Sequence, residues 1–260
     1  MNRTHLTIHS QDGILQNGTM KSDIYFNFGS IFKNAKSANI SIDNAQFPVS
    51  FYNVNTNNNE FKISLNGGGI TSIFIDTGNY NSTTLLSQLS TQLTNAGITT
   101  ITATISSITG KLTFVITSGY FQIHNCSSYP VLGFEKGVDY TSSLQTLVAP
   151  FPFNLLGTLK LKILSNTLNI SGISSHKGRA SILGEIPVST SNFGLILFHN
   201  NTNISQPLQQ TNLNGFNIQI TDDYGYLINF NNADWSITFD LQWADTNVGN
   251  VKLNDLEQLE

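Results

Sequence analysis

The stretch FNIQITDDYGYLINFNNADWSITFDLQW, residues 216–243, carries the strongest fold signal in the chain. Apolar and polar side chains alternate in three segments of it, 216–220, 226–230 and 235–243. Alternation with a period of two predicts strands that bury one face. The Asp, Asn and Gly residues between the segments favour turns, because they cap their own backbone or tolerate a positive φ angle. We therefore predict that the chain ends in an antiparallel meander.

The rest of the chain repeats this pattern of short strands. Further candidate strands are 24–28, 38–42, 61–65, 72–76, 101–105, 112–116, 121–124, 159–164, 182–188 and 195–198. One helix interrupts them: leucines recur at helical spacing from Leu85 to Leu93, with Ser82 as the N-cap candidate and Gly97 at the end. Many short strands and a single helix predict an all-β fold, a single jelly-roll sandwich with a small α/β insertion.

Three parts follow from this pattern. Residues 1–20 contain only one short alternating piece among polar and glycine residues, and we predict an N-terminal arm there. Residues 21–59 and 135–260 are predicted to form the jelly-roll domain. Residues 60–134, which hold the helix, are predicted to form the α/β insertion or elaboration.

Few side chains in this protein are charged. They make up 11% of 260 residues, the net charge is -4, and no basic stripe is present, so specific nucleic-acid binding is not expected. Abundant neutral polar residues suit a surface that packs against other proteins, where burying Lys or Glu is costly. A coding sequence rich in A and T would also raise Asn and Ile, so composition alone leaves both explanations open.

The cysteine content and the chain's apolar segments bear on where the protein is made. Cys126 is the only cysteine, which precludes an internal disulfide and fits synthesis in the reducing host cell interior. Met1–His5 shows no apolar signal sequence, and no stretch approaches the roughly 18 apolar residues of a transmembrane helix.

Catalytic motifs are missing. The chain has no G-x-S-x-G, no H-E-x-x-H, no P-loop and no Rossmann glycine pattern, so we expect no enzyme, no catalytic residues and no cofactor. His5 and His9 are four residues apart, but in an extended segment a shared metal is not expected. His124 and Cys126 would lie on one face of a strand, where a Cys/His dyad is conceivable. A buried structural cysteine beside a histidine is the preferred interpretation.

Two further groups of side chains could bind a ligand. Asp222, Asp223 and Asp234, with Asn229, Asn231 and Asn232, offer oxygen ligands for weak Ca²⁺ binding, although turn chemistry explains the same residues. The aromatic side chains Tyr224, Tyr226, Trp235 and Trp243 could form a platform for stacking sugars. Trp243 is in phase with the inward side of its strand, however, which favours a core position.

The order of several short motifs resembles the penton proteins of virophages, Polinton-like viruses and related large DNA viruses. The motifs that carry the resemblance are ISIDNAQFP (40–48), FYNV (51–54), GNYN (78–81), TGKLTF (109–114), LGF (132–134), TDDYG (221–225) and NFNNADWSI (229–237). Each motif is weak alone, and none is catalytic. Their order and spacing over most of the chain give the resemblance its weight.

The resemblance implies a structural capsid protein of the virion: a single jelly roll that forms a homo-pentamer at icosahedral vertices of a double-stranded DNA virus. It also implies that the N-terminal arm contacts the major capsid protein. A related minor capsid protein fits the same pattern. A carbohydrate- or receptor-binding β-sandwich module, with a host receptor or glycan as partner, remains the alternative from a different class.

Overall fold

A computed structural model of the chain describes residues 1–18, 20–168, 170, 173–174, 178–179, 181–202 and 204–245. They fall into two compact units. The sandwich unit contains Met1–Phe51 and the described residues from Leu159 onward, and the inserted unit is Tyr52–Thr158. The predicted all-β fold with a jelly-roll sandwich and a small α/β insertion is confirmed.

The described residues form two helices and nineteen strands. In chain order these are β1 (Asn2–His9), β2 (Ile14–Leu15), β3 (Asp23–Phe32), β4 (Ala35–Pro48), β5 (Glu60–Leu65), β6 (Thr71–Phe74), α1 (Ser82–Asn95), β7 (Ile101–Ile105), β8 (Leu112–Ile116), β9 (Phe121–His124), α2 (Tyr129–Leu132), β10 (Tyr140–Thr141), β11 (Thr146–Val148), β12 (Lys160–Leu164), β13 (Ile173–Ser174), β14 (Gly178–Arg179), β15 (Ile182–Pro187), β16 (Leu195–His199), β17 (Gln206–Leu208), β18 (Leu213–Thr221) and β19 (Ser236–Asp245).

No helix in the described part of the chain has the length and apolar character needed to cross a membrane.

Two five-stranded antiparallel sheets build the sandwich unit. Sheet A has the order β1-β19-β4-β16, and β17 pairs with β4 on the same side as β16. Sheet B has the order β15-β12-β18-β3-β2. Apolar side chains from both sheets form one core, in which Phe216 of sheet B meets Phe239 of sheet A edge to face at 5.5 Å between ring centroids. Each such buried side chain contributes about 1.5–3 kcal/mol to folding.

The predicted C-terminal meander is wrong. Strand β18 lies in sheet B, while β19 lies in sheet A between β1 and β4. Residues 226–230 form no strand and make only one isolated bridge, Thr221 with Leu227. Asn231 and Asn232 then take positive φ angles of 48° and 65°, which turn the chain toward the other sheet. The alternation in 226–230 is real, but it buries Ile228 and Phe230 in the core of a crossing segment.

The N-terminus also differs from the prediction of a free arm over residues 1–20. Strand β1 pairs along its whole length with β19, from Asn2 opposite Trp243 to His9 opposite Ser236. Ile8 is buried in the sandwich core, and the guanidinium Nε of Arg3 donates to Asp240 Oδ1 at 2.8 Å. The sequence pattern of β1 does not mark it as a core strand, because only one of its side chains, Ile8, is fully buried.

The inserted unit contains two smaller antiparallel sheets and its own core. One sheet has the order β10-β9-β5-β6 and the other β11-β8-β7. Phe61 and Phe114 stack at 5.7 Å between ring centroids, and helix α1 buries Leu85, Leu89 and Leu93 in the same core.

The ends of helix α1 show how its sequence sets its limits. The N-cap is Asn81 rather than the predicted Ser82: Asn81 Oδ1 accepts the Thr84 N–H at 2.9 Å, and Thr84 Oγ1 accepts the Asn81 N–H at 2.9 Å. This reciprocal pair is a capping box, which satisfies two backbone donors at once. Gly97 follows the helix with a φ of 76°, as a helix-ending glycine does. The four-residue helix α2 was not predicted.

The inserted unit extends beyond the predicted 60–134. Strands β10 and β11 add to its sheets by pairing with β9 and β8. Asn53 Nδ2 donates to the carbonyl oxygens of Tyr80 and Leu155, at 2.9 and 3.0 Å, which joins the beginning of the unit to its end. These contacts join residues 27 and 102 positions apart, which a local pattern does not reveal.

Replacing Ile8 by Ala tests whether β1 belongs to the core. We expect a loss of about 2–5 kcal/mol in the free energy of unfolding, because the change leaves a cavity under the sheet. Urea unfolding followed by Trp fluorescence measures this loss of free energy, because both tryptophans, Trp235 and Trp243, lie in the sandwich unit. Thr7→Ala, on the exposed face of the same strand, is the control and should cost less than about 1 kcal/mol. Equal, small effects of both changes would contradict the placement of β1.

Candidate functional site

The two N-terminal histidines do not form a metal site. His5 and His9 are both exposed on β1, and His5 Nδ1 lies 3.7 Å from Asp43 Oδ2. Four residues of a strand span about 13 Å, which is too far for two imidazoles to share one ion. Among the described residues, no group of three or more His, Cys, Asp or Glu could hold a metal.

His124 and Cys126 are not brought together as a dyad. Cys126 is buried, and its Sγ lies 3.4 Å from Ser128 Oγ. His124 instead bridges Ser64 and Asp139: its Nε2 is 2.9 Å from Ser64 Oγ, and its Nδ1 is 3.1 Å from Asp139 Oδ2. Hydrogen bonds from the Asn125 N–H and from His124 lower the pKa of Asp139 below its ordinary value.

This Ser–His–Asp row has the connectivity of a nucleophile with its base and orienting acid. Ser64 is only 5% exposed, however, and sits within strand β5, so its oxygen is closed to a substrate. The row therefore serves the fold, fastening the segment before β10 to β9 and β5. Sequence reasoning missed it because Ser64 and His124 meet only through the pairing of β5 with β9.

The carboxylates considered for Ca²⁺ are engaged by donors of the chain itself. Asp222 Oδ1 accepts the N–H groups of Tyr224 and Tyr226, each at 2.9 Å, as turn chemistry predicts. Burial raises the pKa of Asp222 above its ordinary value, although these backbone donors oppose the shift. Asp223 Oδ2 accepts the Leu159 N–H at 3.3 Å.

Asp234 belongs to a different cluster, which ties the N-terminal segment to the loop before β19. Asp234 Oδ1 accepts Lys21 Nζ and Ser10 Oγ, both at 2.7 Å. The Trp235 indole donates to the Lys21 carbonyl, and the Trp235 N–H donates to Ser10 Oγ at 3.1 Å. We call Ser10, Lys21, Asp234 and Trp235 the Trp235 lock. Hydrogen bonds from Lys21 and Ser10 lower the pKa of Asp234.

The four aromatic residues of the predicted sugar platform lie in different environments. Trp235 is buried in the core, and Trp243 stacks on Phe32 at 5.7 Å between ring centroids. Tyr224 and Tyr226 remain exposed on the turn after β18. Trp235 is therefore not available as a stacking surface for a ligand, and Phe32 occupies one face of the partly buried Trp243.

Exposed apolar side chains occur in both units, among them Ile108 and Leu144 in the inserted unit, and two groups lie at the edges of the sandwich unit. One group lies on and around β16 and β17: Phe193, Leu195, Leu197 and Ile204. A second lies on and after β2: Ile14, Leu15 and Met20. Exposed apolar side chains at sheet edges are suited to contact with another protein.

No protein-family model matches the chain, and no curated protein matches it. Among solved structures, the mavirus penton protein matches with a TM-score of 0.50 at 13% identity, covering 94% of this chain and 100% of that chain. The chain has a virophage-penton-like fold. The D2–D3 domains of the Escherichia coli flagellar cap protein FliD cover 85% of this chain, but their TM-score of 0.19 carries no argument.

Replacing Asp234 by Asn tests the Trp235 lock. At pH 7 we expect a loss of about 1 kcal/mol in unfolding free energy, since a half-exposed carboxylate loses its charged hydrogen bonds. The pKa of Asp234 is lowered in the folded state. The charge of Asp234 therefore stabilises the fold fully above about pH 3.9, the ordinary pKa of Asp, and this stabilisation is lost as the pH falls through the pKa of the folded state.

Urea unfolding of wild type and Asp234→Asn at pH 7 and at about pH 3 measures this difference, which should shrink at the lower pH. Asp12→Asn, at an exposed carboxylate of the same N-terminal segment, is the control. A stability gap that is unchanged by acid would contradict a role for the Asp234 charge.

Proposed function

We propose that the protein is a structural capsid protein, the penton that forms a pentamer at the icosahedral vertices of a double-stranded DNA virus. The observation that carries this proposal is the shared fold: the likeness to the mavirus penton protein covers 94% of this chain and the whole of that one. The ordered motifs of the sequence point to the same group of viruses.

The chemistry of the described surface supports a structural role rather than catalysis. The one Ser–His–Asp row found among the described residues is closed by burial of Ser64. Charged side chains are few, so large surfaces can be buried against other proteins at little desolvation cost. A two-sheet sandwich with apolar groups at its edges suits repeated contacts around a closed ring.

The proposed partners are further copies of the chain and the major capsid protein. Residues 2–9 are paired in sheet A, so we do not assign attachment to the major capsid protein to a free arm. Specific nucleic-acid binding is not part of the proposal, because the chain has no basic stripe. The proposed location is the capsid vertex of the virion, after synthesis in the host cell interior.

Two other functions fit parts of these observations. A related minor capsid protein would share the fold without occupying the vertex. A receptor- or glycan-binding module would use the exposed Tyr224 and Tyr226, while the buried Trp235 removes much of its predicted platform. The oligomeric state separates these alternatives from the penton.

Light scattering on the purified protein, followed by negative-stain imaging, tests the proposal. We expect a particle of five times the 28.5 kDa chain mass and class averages with five-fold symmetry. A stable dimer or trimer would contradict the penton and favour the binding module. If the purified chain is monomeric, virions are imaged instead, and a vertex that lacks this chain contradicts the proposal.

A further inference from the structure

The sandwich unit has two opposite sides, each formed by neighbouring edge strands of the two sheets. On one side, β15 of sheet B lies beside β4, the strand that pairs with β16 at the edge of sheet A: a Cβ at Gly184 would come within 2.9 Å of Ile42 Cδ1. On the other side, β1 of sheet A and β2 of sheet B follow each other in sequence. We call the side of β15, β16 and β17 flank one, and the side of β1 and β2 flank two.

Flank one carries four exposed apolar side chains. Phe193 is 82% exposed, Leu195 51%, Leu197 68% and Ile204 65%. Phe193 also has a φ of 65°, a conformation that costs an aromatic residue about 1–2 kcal/mol. Its N–H donates to the Val49 carbonyl at 2.8 Å, which ties the backbone of this turn to the residue after β4. A strained and exposed aromatic residue is a candidate for contact with a partner, although Leu144 of the inserted unit combines exposure and a positive φ in the same way.

The chain around β16 and β17 has no charged side chains, which are one usual protection of an edge strand, although β17 contains Pro207. Proteins block unwanted pairing at edges with lysine, proline or bulges. Residues 186–221, which contain β16 and β17, include no Asp, Glu, Lys or Arg. Strand β16 pairs only with β4 in the described part of the chain, so its other edge is open. An uncharged, open edge with apolar side chains is suited to being covered by another protein.

Flank two presents a matching surface on the opposite side. Ile14 is 64% exposed, Leu15 41% and Met20 38%. Residues 13–20 also contain no charged side chain. The occurrence of two uncharged apolar patches on opposite sides of one sandwich unit is what a head-to-tail contact between identical copies requires. A contact about a two-fold axis would need only one of them.

One row of paired residues crosses sheet A from flank one to flank two. In sheet A, Leu197 pairs with Gln46, Gln46 with Ser236, and Ser236 with His9, so these four residues form one row across the sheet. Strand β2 begins five residues after His9, at the end of the sandwich where the row ends. The row therefore runs from Leu197 on flank one to His9, the last residue of β1, on flank two.

We propose that flank one of each copy packs against flank two of the next copy around the ring, with Phe193, Leu195 and Leu197 contacting Ile14, Leu15 and Met20. The occupant of each patch is thus a second copy of this chain. The assignment rests on the proposed pentamer and names the surfaces that close it.

Cross-linking between variants that each carry one introduced cysteine tests the pairing of the two flanks. Leu197→Cys and Ile14→Cys chains are co-expressed and treated with a short bismaleimide, while the native Cys126 is buried in all of them. We expect cross-linked dimers from the mixture of the two variants. Either variant alone should give no more cross-linked product than the wild type. The double variant should give cross-linked products of two to five chains. Ile108→Cys, at an exposed residue of the inserted unit, is the control and should not cross-link to either.

Charged replacements provide an independent readout. Leu197→Lys and Ile14→Lys should each convert the five-chain particle to single chains with unchanged Trp fluorescence, while Ile108→Lys should leave the particle intact. If both flank variants still form the five-chain particle of the wild type, the flank assignment is wrong and the proposed pentamer is unaffected. Cross-linking of Leu197→Cys to itself, without the mixed product, would also overturn it. A wild type without five-chain particles and without the mixed cross-link would overturn the flank assignment, and the imaging of virions would then decide the penton proposal.

Discussion

The pairing of β19 with β1 on one side and β4 on the other is the constraint on which the sandwich unit depends. It joins the first described strand of the chain to the last and places Phe239 over Phe216 of the opposite sheet. The Trp235 lock fixes the entry to β19 by tying it to Ser10 and Lys21. These contacts span more than 200 residues, so they join the N-terminal segment of the sandwich unit to its last described strand.

The same arrangement explains where surfaces for assembly are left. Placing β19 in the middle of sheet A makes β1 and β16 its two edges, each with an open row of backbone groups. The edge strands β2 and β15 of sheet B lie on the same two sides. Both sides carry apolar residues in uncharged segments, while the outer face of β1 is polar. The unit therefore has a polar face and two sides suited to contact with further copies.

Local pattern predicted the strands and helix α1 well, because alternation and capping act over a few residues. It could not predict which sheet each strand joins, since partners are chosen by distant residues. The turn at Asn231 and Asn232 illustrates this: the sequence marks a turn, but only the positive φ angles send β19 to the other sheet. For the same reason, neither the Ser64–His124 contact nor the two flanks could be recognised from residue spacing alone. The absence of charged residues from 186–221 was the one sequence feature that pointed to flank one.

Amide hydrogen exchange, measured on the wild-type chain at low and at high concentration, tests the account most directly. The open edges of β16 and β1 and residues 13–18 should gain protection together as particles form, because each is covered by a neighbouring copy. Amides already paired within β4 and β19 should change little. Assembly that protects the inserted unit and leaves both edges exchanging as in the single chain would contradict the account.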